Sequence, residues 1–325
     1  MRISGLLERR RYEVLALFVG VAAVFALAAT VGVAWAAGWN DVLERLQRPA
    51  LHWFAVAFGA ELVAYVAYVL AYREVARVER GAELRLPHAA AIVAAGFGVF
   101  VAAGGYFVDT EALEEAGLPS REAQARAIGL GALEYVLLAP AAAGAAAYLL
   151  WEHAPRPEGA FTWPWAIAVP AGFAVAGFAL RYRDRLAGRR GWRRRFGFAF
   201  EALRMVIALA RQPGRHGHAF VAMGVYWLGD LACLWACLQA FHVQLPVPAL
   251  IIAYATGYAL SRRALPLGGA GIVEALLPFA LLWSGSPLAS AVLAVFCYRF
   301  FNLWLPLLPA LGSLPMLGRL DAQAR

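Results

Sequence analysis

Between residues 13 and 37 the chain is almost unbroken apolar sequence, more than the roughly 20 residues that cross a bilayer as a helix. Stretches of the same kind occupy 50–72, 126–150, 163–181, 219–242 and 288–313, and predict five further full spans. Two other apolar stretches, 88–108 and 248–283, are punctuated. The first carries Gly96, Gly98, Gly104 and Gly105; the second carries Leu265-Pro266-Leu267-Gly268-Gly269-Ala270-Gly271-Ile272-Val273-Glu274. Proline and clustered glycine do not continue a helix. Irregular backbone survives at membrane depth only where protein or a water-filled cavity surrounds it. The expected fold is therefore all-α and polytopic: about six full spans plus two re-entrant helical hairpins.

Charge decides how these elements thread. Arg73, Arg77, Arg80 and Arg85 follow the second span, and place that loop and the N-terminus in the cytoplasm. If 88–108 crossed fully, segment 181–218, with eleven arginines against two acids, would lie outside. A first hairpin that enters and leaves on the cytoplasmic side, and a second that does so on the outer side, returns every basic cluster to the inside. Both termini are then cytoplasmic, in a bacterial or archaeal cell (inner) membrane. The expected organisation is one integral-membrane domain over 1–325. A first repeat (1–150) is followed by an outer loop and the second repeat's first span (151–180). An Arg-rich cytoplasmic loop (181–218) and the remainder of the second repeat (219–313) complete it. Each half reads span, span, hairpin, span, in opposite orientation, the inverted-repeat plan of many secondary transporters. Within the loop, 196–210 is expected to lie in the inner interface as a surface anchor.

Composition agrees: 62% of the 325 residues are hydrophobic and 15% charged, with a mean hydropathy of +0.62. The net charge of +8 comes entirely from arginine among the basic residues, a bias that genome composition explains. These arginines flank apolar spans rather than covering a soluble face, which argues against nucleic-acid binding. Cys233, Cys237 and Cys297 lie within spans and read as small apolar filler. The six histidines read as interfacial filler, and the tryptophans near span ends as an aromatic belt. No metal-ligand motif, nucleophile elbow or phosphate-binding loop appears, so neither an enzyme nor a cofactor or metal is expected.

An ionisable side chain inside a bilayer costs a few kcal/mol and must face a partner or water. Seven residues meet that description. Glu274 opens the half-helix after the break, where the helix dipole favours a carboxylate. Arg299 lies within the last span. Glu61, Glu134 and Asp230 are mid-span acids, each expected to have an arginine, tyrosine or backbone partner. Arg262 and Arg263 sit at the deep end of the half-helix before the break. Arg299 either pairs with Glu274 simply to lock the fold, or grips a lipid phosphate with its planar fork while Glu274 attracts a cationic headgroup or balances the arginine when the site is empty.

Pro266-Leu-Gly-Gly-Ala-Gly-Ile-Val-Glu274 resembles the Pro-Gly-Gly-Leu-Gly-x-x-Glu signature of the lysylphosphatidylglycerol synthase membrane region, a flippase-like family. Tyr298-Arg299-Phe-Phe-Asn302-Leu-Trp304-Leu305-Pro306 is similar to that family's final span. The family includes the membrane part of the multiple peptide resistance factor, which flips a lipid made by a separate soluble synthase domain; no such domain is expected here. Leu267 stands where the family has glycine, and Tyr135 where an arginine often follows the first-half glutamate. The resemblance implies a lipid site drawn from Glu274, Arg299, Arg262, Arg263, Gly268, Gly269, Gly271, Asn302, Glu134, Glu61 and Asp230. It implies membrane lipids as partners, anionic or aminoacylated phospholipid among them, and leaves a homodimer open. The expectation is a transporter working by alternating access. The alternatives are a lipid-modifying enzyme or subunit, with Glu274 or Glu134 as base, and a non-transporting scaffold docking through 181–215.

Overall fold

A computed structural model describes residues 10–97, 105–152, 159–182, 190–259, 266–306 and 309. The described residues are helical throughout, joined by turns and short connections. Five helices are long and apolar enough to cross a membrane. They are α1 (Arg10–Ala37), α3 (His52–Arg77), α6 (Ser120–Trp151), α7 (Gly159–Arg181) and α9 (Pro213–Ala240). The sixth expected span appears as α12 (Leu288–Arg299), which widens into a π segment at Phe300–Trp304.

Both punctuated stretches form pairs of short helices. α4 (Leu86–Phe97) packs beside α5 (Gly105–Glu115), and α10 (Val247–Tyr254) beside α11 (Ile272–Trp283). At about 1.5 Å per residue, α4, α5 and α11 reach only some 18 Å each, well short of the roughly 30 Å hydrocarbon core. α10 continues into a second π segment, Ala255–Ala259. The connection 98–104, and 260–265 with Arg262 and Arg263, lie outside the described residues.

Exposure is what a bilayer demands. α1 presents Leu17, Val24, Phe25, Leu27, Val31 and Trp35 outward, and α7 buries none of its most apolar window. In water such continuous apolar faces would associate; in lipid they are already solvated. Trp39, Trp151 and Trp163 sit exposed near helix ends.

The core is built around α3 and α9, the most closely packed pair. Small residues permit this approach, as is usual where helices meet without a hydrophobic drive between them. A Cβ on Gly229 of α9 would stand 2.8 Å from the Ala60 carbonyl oxygen of α3 and 3.0 Å from the Ala64 backbone nitrogen. The contact lies beside Glu61 on one helix and Asp230 on the other, so it sets the separation of the two acids.

Three elements differ from the sequence expectation. α2 (Trp39–Leu46) is a short helix after the first span, tied to α12 by Arg45 donating to the Ser290 hydroxyl at 2.7 Å. α8 (Arg190–Arg211) covers the expected interfacial segment, but Ala202, Met205, Val206 and Leu209 are buried against protein. Their i, i+3, i+4, i+7 spacing gives one face, seated on α6 where Met205 covers Gly129. His216 is buried at the start of α9, its Nδ1 3.8 Å from a Glu74 carboxyl oxygen, rather than standing in the interface.

Arg126 ties α6 to the turn after α3. It is 6% exposed, and its guanidinium donates to the Val78 carbonyl at 2.9 Å and to Glu122 at 3.1 Å. Arg126→Met should lower stability by about 1–3 kcal/mol, chiefly by orphaning the Val78 carbonyl. Thermal unfolding in detergent checks this; an unchanged midpoint would show that the tie contributes nothing.

Candidate functional site

The chain's helix breaker is organised by a buried ion pair. Gly268, Gly269 and Gly271 adopt φ of 61°, 71° and 85°, conformations that side chains resist. They form a 3-10 turn (Pro266–Gly269) and the entry to α11. Glu274, in the first turn of α11, accepts the Gly271 N–H on Oε2 at 2.7 Å, satisfying a donor that the helix start leaves open. Its other oxygen accepts from Arg299 Nε at 2.7 Å, both side chains being 2% exposed. Arg299 also donates to the Gly268 carbonyl at 3.1 Å. One guanidinium thus ties the turn and the helix that follows it to α12. Glu274 and Arg299 are buried among the described residues.

One turn further along the chain, Asn302 gathers a second polar group. Its amide nitrogen donates to Asp230 at 2.9 Å and to Glu61 at 3.2 Å. Its amide oxygen accepts from the Tyr258 hydroxyl at 2.9 Å, and its backbone carbonyl from Tyr65 at 3.1 Å. Asp230, with no exposed surface, also accepts from the hydroxyls of Tyr254 and of Tyr298, the latter at 2.9 Å. All of Asp230's partners named here are neutral donors.

Both π segments lie at this level. Widening a helix to π geometry releases carbonyls from the regular ladder, and such segments recur at functional sites. Here the Asn302 carbonyl is taken up by Tyr65, while Thr256 of the facing segment receives the Trp165 indole N–H at 2.9 Å. A Cβ on Gly257 would meet the Leu277 Cα at 2.6 Å, so that π segment lies directly against α11.

A cavity of about 380 Å³ reaches the polar group at Glu61. α3 supplies Glu61, Tyr65 and Val66, α4 supplies Val93, and Phe301 and Pro306 close the far side. Its walls are apolar, with Glu61 as the acidic member.

The sequence-derived candidates therefore divide. Glu274, Arg299, Gly268, Gly269 and Gly271 form the clamp. Asn302, Asp230 and Glu61 form the neighbouring hub, linked to the clamp through α12. Glu134 is buried in α6, its backbone carbonyl accepting the Trp227 indole N–H at 3.0 Å. Arg262 and Arg263 lie outside the described residues. Tyr254, Tyr258 and Tyr298 were not foreseen; their four- and forty-residue spacings carry no signal until the helices are docked.

No curated protein matches the chain. The family described as lysylphosphatidylglycerol synthase TM region matches residues 14–310, spanning both helix pairs, the clamp and the hub. With that match and its apolar spanning helices, this is a multi-pass membrane protein belonging to the lysylphosphatidylglycerol synthase transmembrane-region family.

Proposed function

We propose that the protein moves a phospholipid, or a related amphiphile, between the two leaflets. The observation that carries this reading is the apolar cavity with the Glu61 carboxyl in its wall, beside a fully buried polar hub. Apolar walls of α3 and α4 suit acyl chains, while the hub offers the one kind of surface a headgroup needs at membrane depth. A permanently solid core would gain nothing from this expense, since each buried acid has to be matched by donors.

Alternating access follows from the two short-helix pairs, which we read as re-entrant from opposite faces in an inverted repeat. In this reading the Glu274–Arg299 clamp holds the second pair closed. Opening it frees Arg299 for a lipid phosphate, in the bidentate geometry its fork favours, and Glu274 for a cationic headgroup group. The reading is one of transport rather than of lipid chemistry.

The test is leaflet protection. Vesicles containing purified protein and a headgroup-labelled phospholipid are treated with a membrane-impermeant quencher. The proposal expects the fraction quenched to rise from the outer-leaflet half toward completeness. Quenching that stays at half for anionic, zwitterionic and aminoacylated lipids alike would refute it.

A further inference from the structure

The hub contains a feature that lipid binding alone does not use. One Asn302 amide nitrogen donates to both the Glu61 and the Asp230 carboxyl groups, at 3.2 and 2.9 Å, which gathers two buried acids on a single donor. Two negative charges so close together and so far from water repel strongly, and a proton on either acid relieves that repulsion. Like charges at such a distance favour a shared proton for the same reason.

The surroundings allow that proton to come and go. Asp230 is sealed, held by the hydroxyls of Tyr254 and Tyr298, so its position survives a change of charge. Glu61 lines the cavity, so it is the member that meets whatever occupies that space. Among the described residues, further titratable groups face the pair from the packed elements. α9 brings Cys233, the α10 side brings Tyr254 and Tyr258, and α12 brings Tyr298 and Arg299. Arg299 is answered by Glu274 of α11 at 2.7 Å, and so does not cancel the pair. Tyr65 of α3 donates to the Asn302 backbone.

Connectivity gives the proton a lever. Asn302 lies in the π segment that follows Arg299, and Tyr258 in the one that precedes the helix break. Asn302 and Tyr258 thus connect the acid pair to the two irregular segments beside the clamp.

We propose that Glu61 and Asp230 bind one exchangeable proton, and that its uptake from one side and release to the other is coupled to the lipid movement proposed above. Only O–H bonds are made and broken, and the proton's source and sink are the two aqueous phases. The coupling rests on the transport reading; the proton site itself does not.

Two measurements separate them. Infrared difference spectra of the full chain in nanodiscs, between acid and alkaline buffer, should show a protonated-carboxyl band. That band should be lost in Asp230→Asn and in Glu61→Gln, the second serving if the first does not fold. A band unchanged in the folded variants overturns the site. In vesicles, a gradient of about one pH unit should shift the leaflet ratio of labelled lipid about tenfold, if one proton moves per lipid. Lipid movement indifferent to the gradient overturns the coupling. A band with no lipid movement leaves the proton site standing and refutes the transport reading instead.

Discussion

Arg299→Gln destabilises the protein by about 3–5 kcal/mol, because it leaves the Glu274 carboxylate buried without its cation. The pair is 2% exposed on both sides, so water cannot take the arginine's place. Glu274→Gln leaves the converse orphan, a sealed guanidinium, and also weakens the acceptor for the Gly271 N–H. Combined in Glu274→Gln/Arg299→Gln, the two losses are far from additive, since the double variant buries neither charge. Most of the single-variant loss is expected to return. Thermal unfolding of the four proteins in detergent measures this, and a double variant as unstable as the two singles summed would show that the side chains do not interact.

Gly229→Val carries the second large effect. Its Cβ would be pressed to 2.8 Å from the Ala60 carbonyl oxygen, and backbone on a packed helix cannot give way as a side-chain tip can. Overpacking of this kind costs about 1–3 kcal/mol, and here forces α3 from α9 along their length. Glu61 and Asp230 would separate with the helices. Gly224 is the control on the same helix: nothing stands within 4 Å of its Cβ position. Gly224→Ala should be neutral or gain up to about 1 kcal/mol from better helix propensity. Equal losses for the two substitutions would contradict a close approach at Gly229.

The extent to which this was legible in the sequence follows from the range of the forces involved. Spanning helices announce themselves because each residue meets lipid or protein through its own hydropathy, and all five long helices fall where unbroken apolar sequence predicts. The break at 266–271 was equally local, since proline and glycine act on their own dihedrals. Glu274 and Arg299 were recognisable singly because an isolated charge at that depth demands a partner. Their contact across 25 residues was one of two readings, and docking of α11 against α12 made it the observed one.

Asn302, Glu61 and Asp230 were candidates singly, but their meeting in one hub was hidden for a different reason. Asn302 is a modest polar residue in an aromatic run, and nothing beside it signals that it bridges two acids. Its direction depends on the helical phase, which a π segment shifts by roughly 100° for each extra residue. Neither π segment is marked by a proline or a glycine pair. The buried face of α8 illustrates the same limit. Its position after the arginine cluster pointed to the interface, but a membrane surface and a neighbouring helix reward an apolar face alike.

The clamp can lock the fold or also take part in lipid movement, and Glu274→Gln/Arg299→Gln tells the two apart because it removes the ionic group without leaving a lone charge. Rates of headgroup-labelled phospholipid translocation in vesicles, for wild type and for this folded double variant, measure the difference. Loss of at least about tenfold in rate is expected, equivalent to about 1.4 kcal/mol in the barrier. A double variant that is folded and moves lipid at the wild-type rate would contradict a role for the pair beyond holding the helix break in place.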